Sequence, residues 1–531
     1  MSAGERYVRY RAPAEDRQTM CVPPWDQVGA LLDANLAKRA SLTVEVQGRA
    51  LDDLALVARR EVLAQALAYT RGYADIRNPA FDAPLIITGH QPELVHPGVW
   101  LKDFAAARIA GQAGGTALSL IIDSDLCRSP SIRVPTGALE QPRVENVAYD
   151  EVVAQMPLEE RRIVDPRTWE TFGTRVAKTV EPFVTSPLVS EWWPSYACTG
   201  GPKNVGLSIA QARHRLELEW GIRNLNLPQS CVCQTSSFRW FAVHLLSHAG
   251  RFRDAYNDAL GEYRRVHRLR SRAQPLPDLT SAEGFQETPF WIWTVADPQR
   301  RALFAKRQPR AIELTDKAGF ERLLPLAPED EVSRAIEALA EWESQGIKIR
   351  TRALITTMFA RLVLADLFIH GIGGAKYDQV TDGICQRFFG VQPPDHLTLS
   401  GTLKLPIART ALPGSRQYLQ QEIRRLEFHP ETEVGRLTLG ASEQAAVNEL
   451  VARKLTWVRT PKTQTNASQR HQQIVEANEA LQGWLVARRL ELDSTLAETT
   501  QYLRASQLLE SREYPFCLFP QEHLRKFLLD F

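Results

Sequence analysis

The sequence is poor in cysteine, has no long apolar run and carries almost no net charge. Its seven cysteines are an odd number spread thinly over 531 residues, which is not the pattern of a disulfide framework. No segment approaches the roughly 18 apolar residues that a membrane-spanning helix needs, and the first residues contain no apolar signal-peptide core. These absences predict a soluble, cytoplasmic protein with no membrane partner.

The charge balance limits the class of partner, and the length limits the number of domains. Lysine and arginine number 64 against 62 aspartates and glutamates, a formal net charge of +2. This balance disfavours nucleic acid as a partner, although a local basic patch stays open. At roughly 100–200 residues per domain, the length predicts two or three domains.

Two short apolar runs predict a buried parallel sheet. PLIIT at 84–88 and TALSLIIDSD at 116–125 are apolar on both faces, as expected of strands covered by helices on both sides. Between them lie a loop and a helical run that Gly114 and Gly115 end. Strand, loop, helix and strand in this short span form the βαβ pattern, so we predict an α/β fold with a parallel-sheet core.

The same patterns divide the chain into five regions. We expect a mainly helical N-terminal region at 1–80, the first part of the core at 81–150, an inserted mixed α/β region at 151–345, the second part of the core at 346–410 and a C-terminal helical hairpin or coiled coil at 411–531. In the last region Leu481, Leu492 and Leu503 lie eleven residues apart, which predicts a nearly straight helix. That region serves either as structural support or as a homodimer surface.

The loop TGHQPELVHPG at 88–98 is the strongest candidate site, because parallel α/β proteins open their binding crevice between a strand and the following helix. The helix N-terminus beyond Pro97 is a ready anion site, the histidines offer hydrogen bonds or a proton to a phosphate, and a lysine adds fixed charge. The candidates are Thr88, Gly89, His90, Gln91, His96, Gly98 and Lys102. The alternative is a tight loop that glycine and proline shape and the histidines cap.

Two acids end the next predicted strand. Asp123 and Asp125 precede Arg128 and Arg133. Carboxylates at a strand end can hold a ribose, an amine or a metal, or act as a base, whereas the alternative is a turn or helix cap. We take Asp123 and Asp125, with His90 and His96, as catalytic candidates and Arg133 as a binding candidate.

A second strand-to-helix junction, HGIGGAKYD, lies at 370–378. Its glycines allow a ligand to approach the backbone closely, and its lysine can meet a phosphate, but it matches neither G-x-G-x-x-G nor the P-loop. The binding candidates are His370, Gly371, Gly373, Gly374, Lys376 and Asp378. A tight turn alone is the alternative explanation of the glycines.

Other patterns are weaker. His244 and His248 lack the glutamate of H-E-x-x-H, and Cys231 and Cys233, on what is expected to be a short strand, lack a second pair, so we predict no metal site. No G-x-S-x-G motif is present, which disfavours an α/β-hydrolase. The arginine-rich stretch at 251–272 either grips an anion or RNA or forms a solvated helix face.

These landmarks together resemble the bacillithiol biosynthesis cysteine-adding enzymes. TGHQ at 88–91 with the following Pro-Gly turn is similar to that family's T-G-Q-Q segment, and LIIDSDLC is similar to its strand ending in an acidic cluster. FIHGIGGAKYDQV is similar to its Y-V-G-G-P-x-E-x-x-Y-x-x-Q segment, and Leu518-Phe519-Pro520 to its terminal L-F-P. The landmarks keep their order across most of the chain, although His90 stands where the family has glutamine.

The resemblance implies a Rossmann-like core, related to nucleotidylyltransferases and class I aminoacyl-tRNA synthetases, with insertions and a C-terminal coiled coil. It implies a ligase that adds cysteine to glucosaminyl malate, with an amino acid and a small-molecule amine as partners and ATP or ADP as the candidate cofactor. By position, His90, Gln91, Asp123, Asp125, Gly373, Gly374 and Asp378 would line its site. His96-Pro97-Gly98 also replaces a T-G-P-like turn, and D-S-D at 123–125 replaces a longer acidic run. These departures bear on the substrate more than on the fold, so a relative acting on a different amine or acid stays open beside the cysteine-adding enzyme.

Two functions remain in competition. The first is a ligase-like or nucleotidylyltransferase-like enzyme that joins an amino acid to an amine at these loops. The second is a non-catalytic binding or scaffold protein that contacts RNA or protein through 251–272 and the helical tail. They differ in whether changes at His90 or changes at the arginines abolish function.

Overall fold

The computed structural model describes residues 7–199, 201, 203–271, 276–327, 332–407 and 415–531. The chain forms two compact units. One comprises Met1–Val134, Glu145–Pro406 and Arg512–Phe531, and the other Pro135–Val144 and Ile407–Ser511. Within the described ranges, none of the helices combines the length and apolar character required to cross a membrane.

The strands are short and interleave with helices. In chain order the strands are β1 (Thr19–Val22), β2 (Glu45–Val46), β3 (Arg49–Ala50), β4 (Leu85–His90), β5 (Thr116–Ile121), β6 (Ser131–Gly137), β7 (Pro142–Ala148), β8 (Leu225–Pro228), β9 (Ser281–Ala282), β10 (Phe285–Thr294), β11 (Arg301–Arg307), β12 (Ala311–Thr315), β13 (Glu321–Pro325), β14 (Ile347–Thr351), β15 (Leu367–His370) and β16 (His396–Gly401).

The helices account for most of the remaining chain. They are α1 (Val28–Ala40), α2 (Leu51–Arg71), α3 (Pro97–Ala113), α4 (Pro166–Val180), α5 (Val189–Trp192), α6 (Val205–Glu219), α7 (Gln229–Cys233), α8 (Ser236–Ser247), α9 (Ala249–His267), α10 (Ser333–Ser344), α11 (Ala353–Phe359), α12 (Ile372–Phe388), α13 (Arg416–Phe428), α14 (Pro430–Val434), α15 (Ala441–Arg459), α16 (Ala467–Gln482), α17 (Val486–Leu509) and α18 (Gln521–Leu529).

The first unit is built around a six-stranded sheet in the order β1-β16-β15-β4-β5-β8. From β4 the chain adds β5 and β8 on one side, while β15 and β16 lie on the other, and these five strands are parallel. Only β1 is antiparallel, at the edge beside β16. The prediction of an α/β protein with a mostly parallel sheet is confirmed, and the strand order reverses between β4 and β15.

Local sequence explains the β4–α3–β5 segment. Both strands are buried on both faces, which is why their sequences are continuous apolar runs. Pro97 starts α3, where a missing N–H costs nothing, and Gly114 ends it in the left-handed conformation with φ 62°.

A second, antiparallel sheet lies in the same unit, in the order β13-β12-β11-β10-β14. Its longest strand, β10, carries Trp291 and Trp293, and the register to β11 shifts between Glu287 and Trp291. Trp293 is buried and Trp291 is half-buried. The two tryptophans therefore differ in burial, which their shared sequence context does not show.

Two sequence expectations are wrong. Cys231 and Cys233 lie in helix α7 rather than on a strand. The straight helix expected through Leu481 and Leu492 is interrupted by a 3-10 turn at Gly483–Leu485, which separates α16 from α17. The leucines of both helices still share one buried cluster. In the second unit, α13 packs on both helices and α15 packs on α16.

Candidate functional site

The carboxyl ends of β4 and β15 lie side by side where the strand order reverses. Ile369 pairs with Thr88, so His90 and His370 end neighbouring strands at the same edge of the sheet. The buried Thr88 hydroxyl donates a hydrogen bond of 3.1 Å to the Ile369 carbonyl. In doubly wound sheets this reversal opens the ligand crevice, and we call it here the switch point.

Lys102 reaches the switch point from α3. Its Nζ donates to the Gly89 carbonyl at 2.8 Å, and its side chain is the nearest neighbour of a Cβ placed on Gly371, at 3.9 Å. Burial lowers the pKa of Lys102 to about 8; Asp103 opposes this shift and Arg213 adds to it. Lys102 therefore brings a positive charge, which titrates near neutral pH, between the two candidate loops.

Three histidines lie within electrostatic range of Lys102. Burial lowers the pKa of His90, His96 and His370, and the positive charge of Lys102 lowers each further; for His96 the pKa falls to about 4. All three rings are therefore neutral at pH 7 and act through hydrogen bonds rather than charge.

His90 retains its hydrogen-bonding capacity. Its side chain is buried, yet neither ring nitrogen has a hydrogen-bond partner among the described residues. The nearest acid is Asp103, whose Oδ2 lies 3.6 Å from Nε2 and whose Oδ1 accepts a hydrogen bond from Ser119 at 2.5 Å. Buried polar groups are nearly always paired, so His90 is not explained as a loop cap.

His96 caps helix α3. Its Nδ1 accepts the Gly98 N–H at 3.1 Å, and a Cβ on Gly98 would lie 2.0 Å from the Gly401 carbonyl oxygen of β16. The prediction of accessible amides at this helix N-terminus is therefore wrong for Gly98, because His96 caps its amide and the residue packs on β16. The alternative capping role applies to His96.

Arg512 adds a second cation beside His96. Its Nη2 donates to Ser400 Oγ at 3.0 Å and lies 3.5 Å from His96 Nε2, while its Nη1 is buried with no hydrogen-bond partner in the described part of the chain. Sequence reasoning missed Arg512, since nothing in its local sequence relates it to a loop 416 residues away.

His370 and Asp378 belong to a buried ion-pair network. Asp378 Oδ2 accepts His370 Nε2 at 2.7 Å and Arg361 Nη1 at 2.6 Å, and Arg361 holds the pKa of Asp378 well below its usual range despite burial. His370, Asp378 and His396 lie close enough together to hold a metal ion. The Arg361 guanidinium already supplies a cation there, and the absence of a metal site stays a prediction.

The glycines of 370–378 have different surroundings. A Cβ on Gly374 would lie 2.6 Å from His370 Nδ1, so the packing of the imidazole requires glycine there. Gly373 and Lys376 are exposed on α12, and Arg133 is exposed on β6. No hydrogen bond in the described ranges joins these last three residues to the switch point.

Asp123 and Asp125 differ in burial and in their hydrogen-bond partners. Asp123 is buried and accepts the Ser230 N–H at 2.9 Å and its hydroxyl at 2.5 Å; burial and Glu159 raise its pKa to about 7. Asp125 is 41 % exposed and accepts hydrogen bonds from Gln91 at 2.8 Å and Arg300 at 3.1 Å. The loops after β4 and β5 therefore meet through Gln91 and Asp125.

The arginine-rich stretch is engaged within its own unit at some positions and exposed at others. Arg251 stacks on Phe388 with its Cζ 4.5 Å from the ring centroid, and Arg264 donates to Asp278 at 2.6 Å. Arg265, Arg268 and Arg270 are exposed, whereas Arg272 lies outside the described residues. This placement agrees with the solvated-face alternative.

Compared with models of known protein families and with curated protein sequences, the chain has no match.

Proposed function

We propose that this protein is an enzyme that joins a small carboxylic acid to an amine, with phosphate or another oxyanion bound at the switch point of a Rossmann-like core. The observation that carries the proposal is the set of groups at the carboxyl ends of β4, β15 and β16. Lys102 and Arg512 supply positive charge, and His90, His96 and His370 supply neutral rings. Such a site stabilises negative charge that develops when a carboxylate is activated.

The strand order supports the Rossmann-like part of this proposal. Reversal between β4 and β15 is the arrangement in which open α/β sheets bind nucleotides and related anions. ATP or ADP is therefore the candidate nucleotide, and the cysteine-adding enzymes that the motifs resemble suggest an amino acid and an amino sugar conjugate as first substrates to test.

Asp125 is the better candidate to orient the amine. Both oxygens of Asp123 accept hydrogen bonds from Ser230, whereas Asp125 is partly exposed beside Gln91. An exposed carboxylate at this edge can hold an ammonium group and accept its proton as the amide bond forms. Asp123 then has a positioning role at the start of α7.

The helical unit fits a supporting or pairing role in this enzyme. Its helices α13, α15, α16 and α17 share one buried apolar cluster, while Val486 and Leu490 of α17 stay exposed. We propose that α17 presents a coiled-coil-like surface through which two copies associate. Sedimentation of the intact chain tests this: a monomer at all concentrations would contradict it. The scaffold alternative has less support, because Arg251, Arg253 and Arg264 already have partners within their unit.

Replacing Lys102 tests the anion site. We expect Lys102→Met to weaken binding of inorganic phosphate and ADP at least tenfold in titration calorimetry, whereas Lys178→Met, at an exposed position on α4, changes nothing. Because the pKa of Lys102 is about 8, the charge is present below that pH, and wild-type affinity should fall as the pH rises through 8.

The reaction itself is tested by incubating the protein with ATP, cysteine and an amino sugar conjugate. Mass spectrometry should show a product whose mass equals the two substrates minus water. Phosphate binding that is unchanged in Lys102→Met, together with no condensation for any acid and amine tried, would reject the proposal.

A further inference from the structure

A separate cavity opens beyond the carboxyl end of β5. Its volume is about 200 Å³, and it is lined by Ser124 and Asp125, by Trp291 of β10, by Arg300 and by the Arg352–Thr356 segment that begins α11. None of the groups clustered around Lys102 lines it. It therefore lies at the same edge of the sheet as the switch point but is formed by different residues.

Two guanidinium groups share one indole in this cavity. The Cζ atoms of Arg300 and Arg352 lie 4.6 Å and 4.1 Å from the Trp291 ring centroid. Arg300 donates to Asp125 at 3.1 Å, and Arg352 donates to Glu287 at 2.6 Å. Contact with the indole holds both guanidinium groups beside the cavity.

Arg352 has a donor that nothing in the described residues uses. The Arg352 side chain is only 12 % exposed, and its Nε is buried without a hydrogen-bond partner. An unpaired donor on a charged group is costly in such surroundings, so an acceptor is expected at this position. A carboxylate is the acceptor whose geometry matches a guanidinium.

The remaining lining is apolar with a few hydroxyl groups. Pro289, Leu354 and Ile355 supply carbon surface, and Ser124 and Thr356 supply hydroxyls. This mixture is typical of small-molecule sites, but the volume lies below the roughly 300–1,000 Å³ of drug-sized pockets. The ligand is therefore small, with a short apolar body.

We infer that this cavity binds a small organic carboxylate, with its carboxylate group on Arg352 and its apolar body against Leu354 and the Trp291 indole. In identifying this ligand as the acid that the enzyme joins to an amine, the inference rests on the proposed function. The binding itself does not, since it needs neither Lys102 nor a bound nucleotide.

Matched acids and amides test the inference on the intact chain. We expect butyrate and benzoate to bind at least tenfold more tightly than butyramide and benzamide in ligand-observed NMR titrations, because only the acids carry the charge. Equal affinity of acid and amide, or no saturable binding of either acid at about 10 mM, would overturn it.

Three variants locate the site. Arg352→Met and Arg300→Met should each weaken benzoate binding at least tenfold, whereas Arg301→Met, which removes the neighbouring arginine paired with Asp297, should not. If Arg352→Met fails to fold because Glu287 loses its partner, the Arg352→Met/Glu287→Gln variant replaces it. Unchanged binding in the arginine variants would place the carboxylate elsewhere and reject the cavity.

The outcomes separate this inference from the proposed function. Carboxylate binding that depends on Arg300 and Arg352, without any condensation activity, upholds the cavity and rejects the reaction. Condensation that is indifferent to Arg300→Met and Arg352→Met upholds the reaction and rejects the identification of the cavity's ligand as its acid substrate, while the benzoate titrations alone decide whether the cavity binds a carboxylate.

Discussion

Arg350→Met should lower the free energy of unfolding by about 3–5 kcal/mol, the cost of breaking a buried ion pair from one side. Arg350 of β14 is fully buried and donates to both oxygens of Glu159, at 2.6 and 2.9 Å, and to both oxygens of Glu343, at 2.8 Å each. The substitution keeps much of the volume but leaves two largely buried carboxylates without this partner. Denaturant unfolding of the intact protein measures the loss.

The matched control is Arg350→Met with Glu159→Gln and Glu343→Gln. It removes the uncompensated charge and should recover most of the stability, because exchanging a whole buried ion pair for neutral groups is often close to neutral. A loss below about 1 kcal/mol for Arg350→Met alone, the range of exposed pairs, would show that the network contributes little.

The same network predicts an acid sensitivity. Burial raises the pKa of Glu343, but hydrogen bonds from Arg350 and Lys348 outweigh it and lower the pKa to about 2. The folded state thus binds fewer protons than the unfolded state between the ordinary glutamate pKa and this value. The contribution of Glu343 is present above pH 4.5 and is lost as the pH falls toward 2, and this slope should shrink in Arg350→Met.

Gly98→Ala should destabilise the protein by about 3 kcal/mol or more, at the upper end of overpacking effects. The added Cβ would lie 2.0 Å from the carbonyl oxygen of Gly401 and 3.0 Å from its carbonyl carbon, so either α3 or β16 has to move. Movement of α3 also displaces Lys102, one turn further along the helix. Thermal unfolding and phosphate titration should therefore both report the change.

Gly111→Ala on the same helix is the control. Gly111 is exposed, and a Cβ there has nothing within 4 Å, so alanine should stabilise the protein by about 0.5–1 kcal/mol through helix propensity. Similar stability of Gly98→Ala and wild type would mean that α3 and β16 do not pack as closely as the structure shows.

The parallel core was predictable because burial on both faces leaves a clear sequence pattern. β4 and β5 are continuous apolar runs next to glycine and proline signals, and they lie where the sequence places them. β8 was missed, since Leu225–Pro228 is four residues long and includes a polar Asn226. The antiparallel sheet was missed because the register shift between Glu287 and Trp291 breaks the alternation along β10.

The candidate site was predictable only in part. The ends of β4 and β5 were identified from local motifs, and Gln91 and Asp125 do meet. Arg300, Arg352 and Arg512 come from distant segments, and a single sequence carries no local signal for such contacts. Likewise, the segment that forms α7 was mistaken for a strand. The amide of Ser230, near the start of α7, donates a hydrogen bond to Asp123, about a hundred residues upstream, and the local sequence gives no sign of this contact.

The place of β4 in the sheet has a consequence for synthesis of the chain on the ribosome. Ile87 pairs with Phe368, so one edge of β4 has no neighbour until roughly 280 further residues have been made, which takes tens of seconds at about 5–20 residues per second. An apolar strand with an open edge is prone to pair with other chains. The nascent protein should therefore depend on chaperones more than its final stability suggests, and pulse-labelled chains truncated before residue 367 should aggregate.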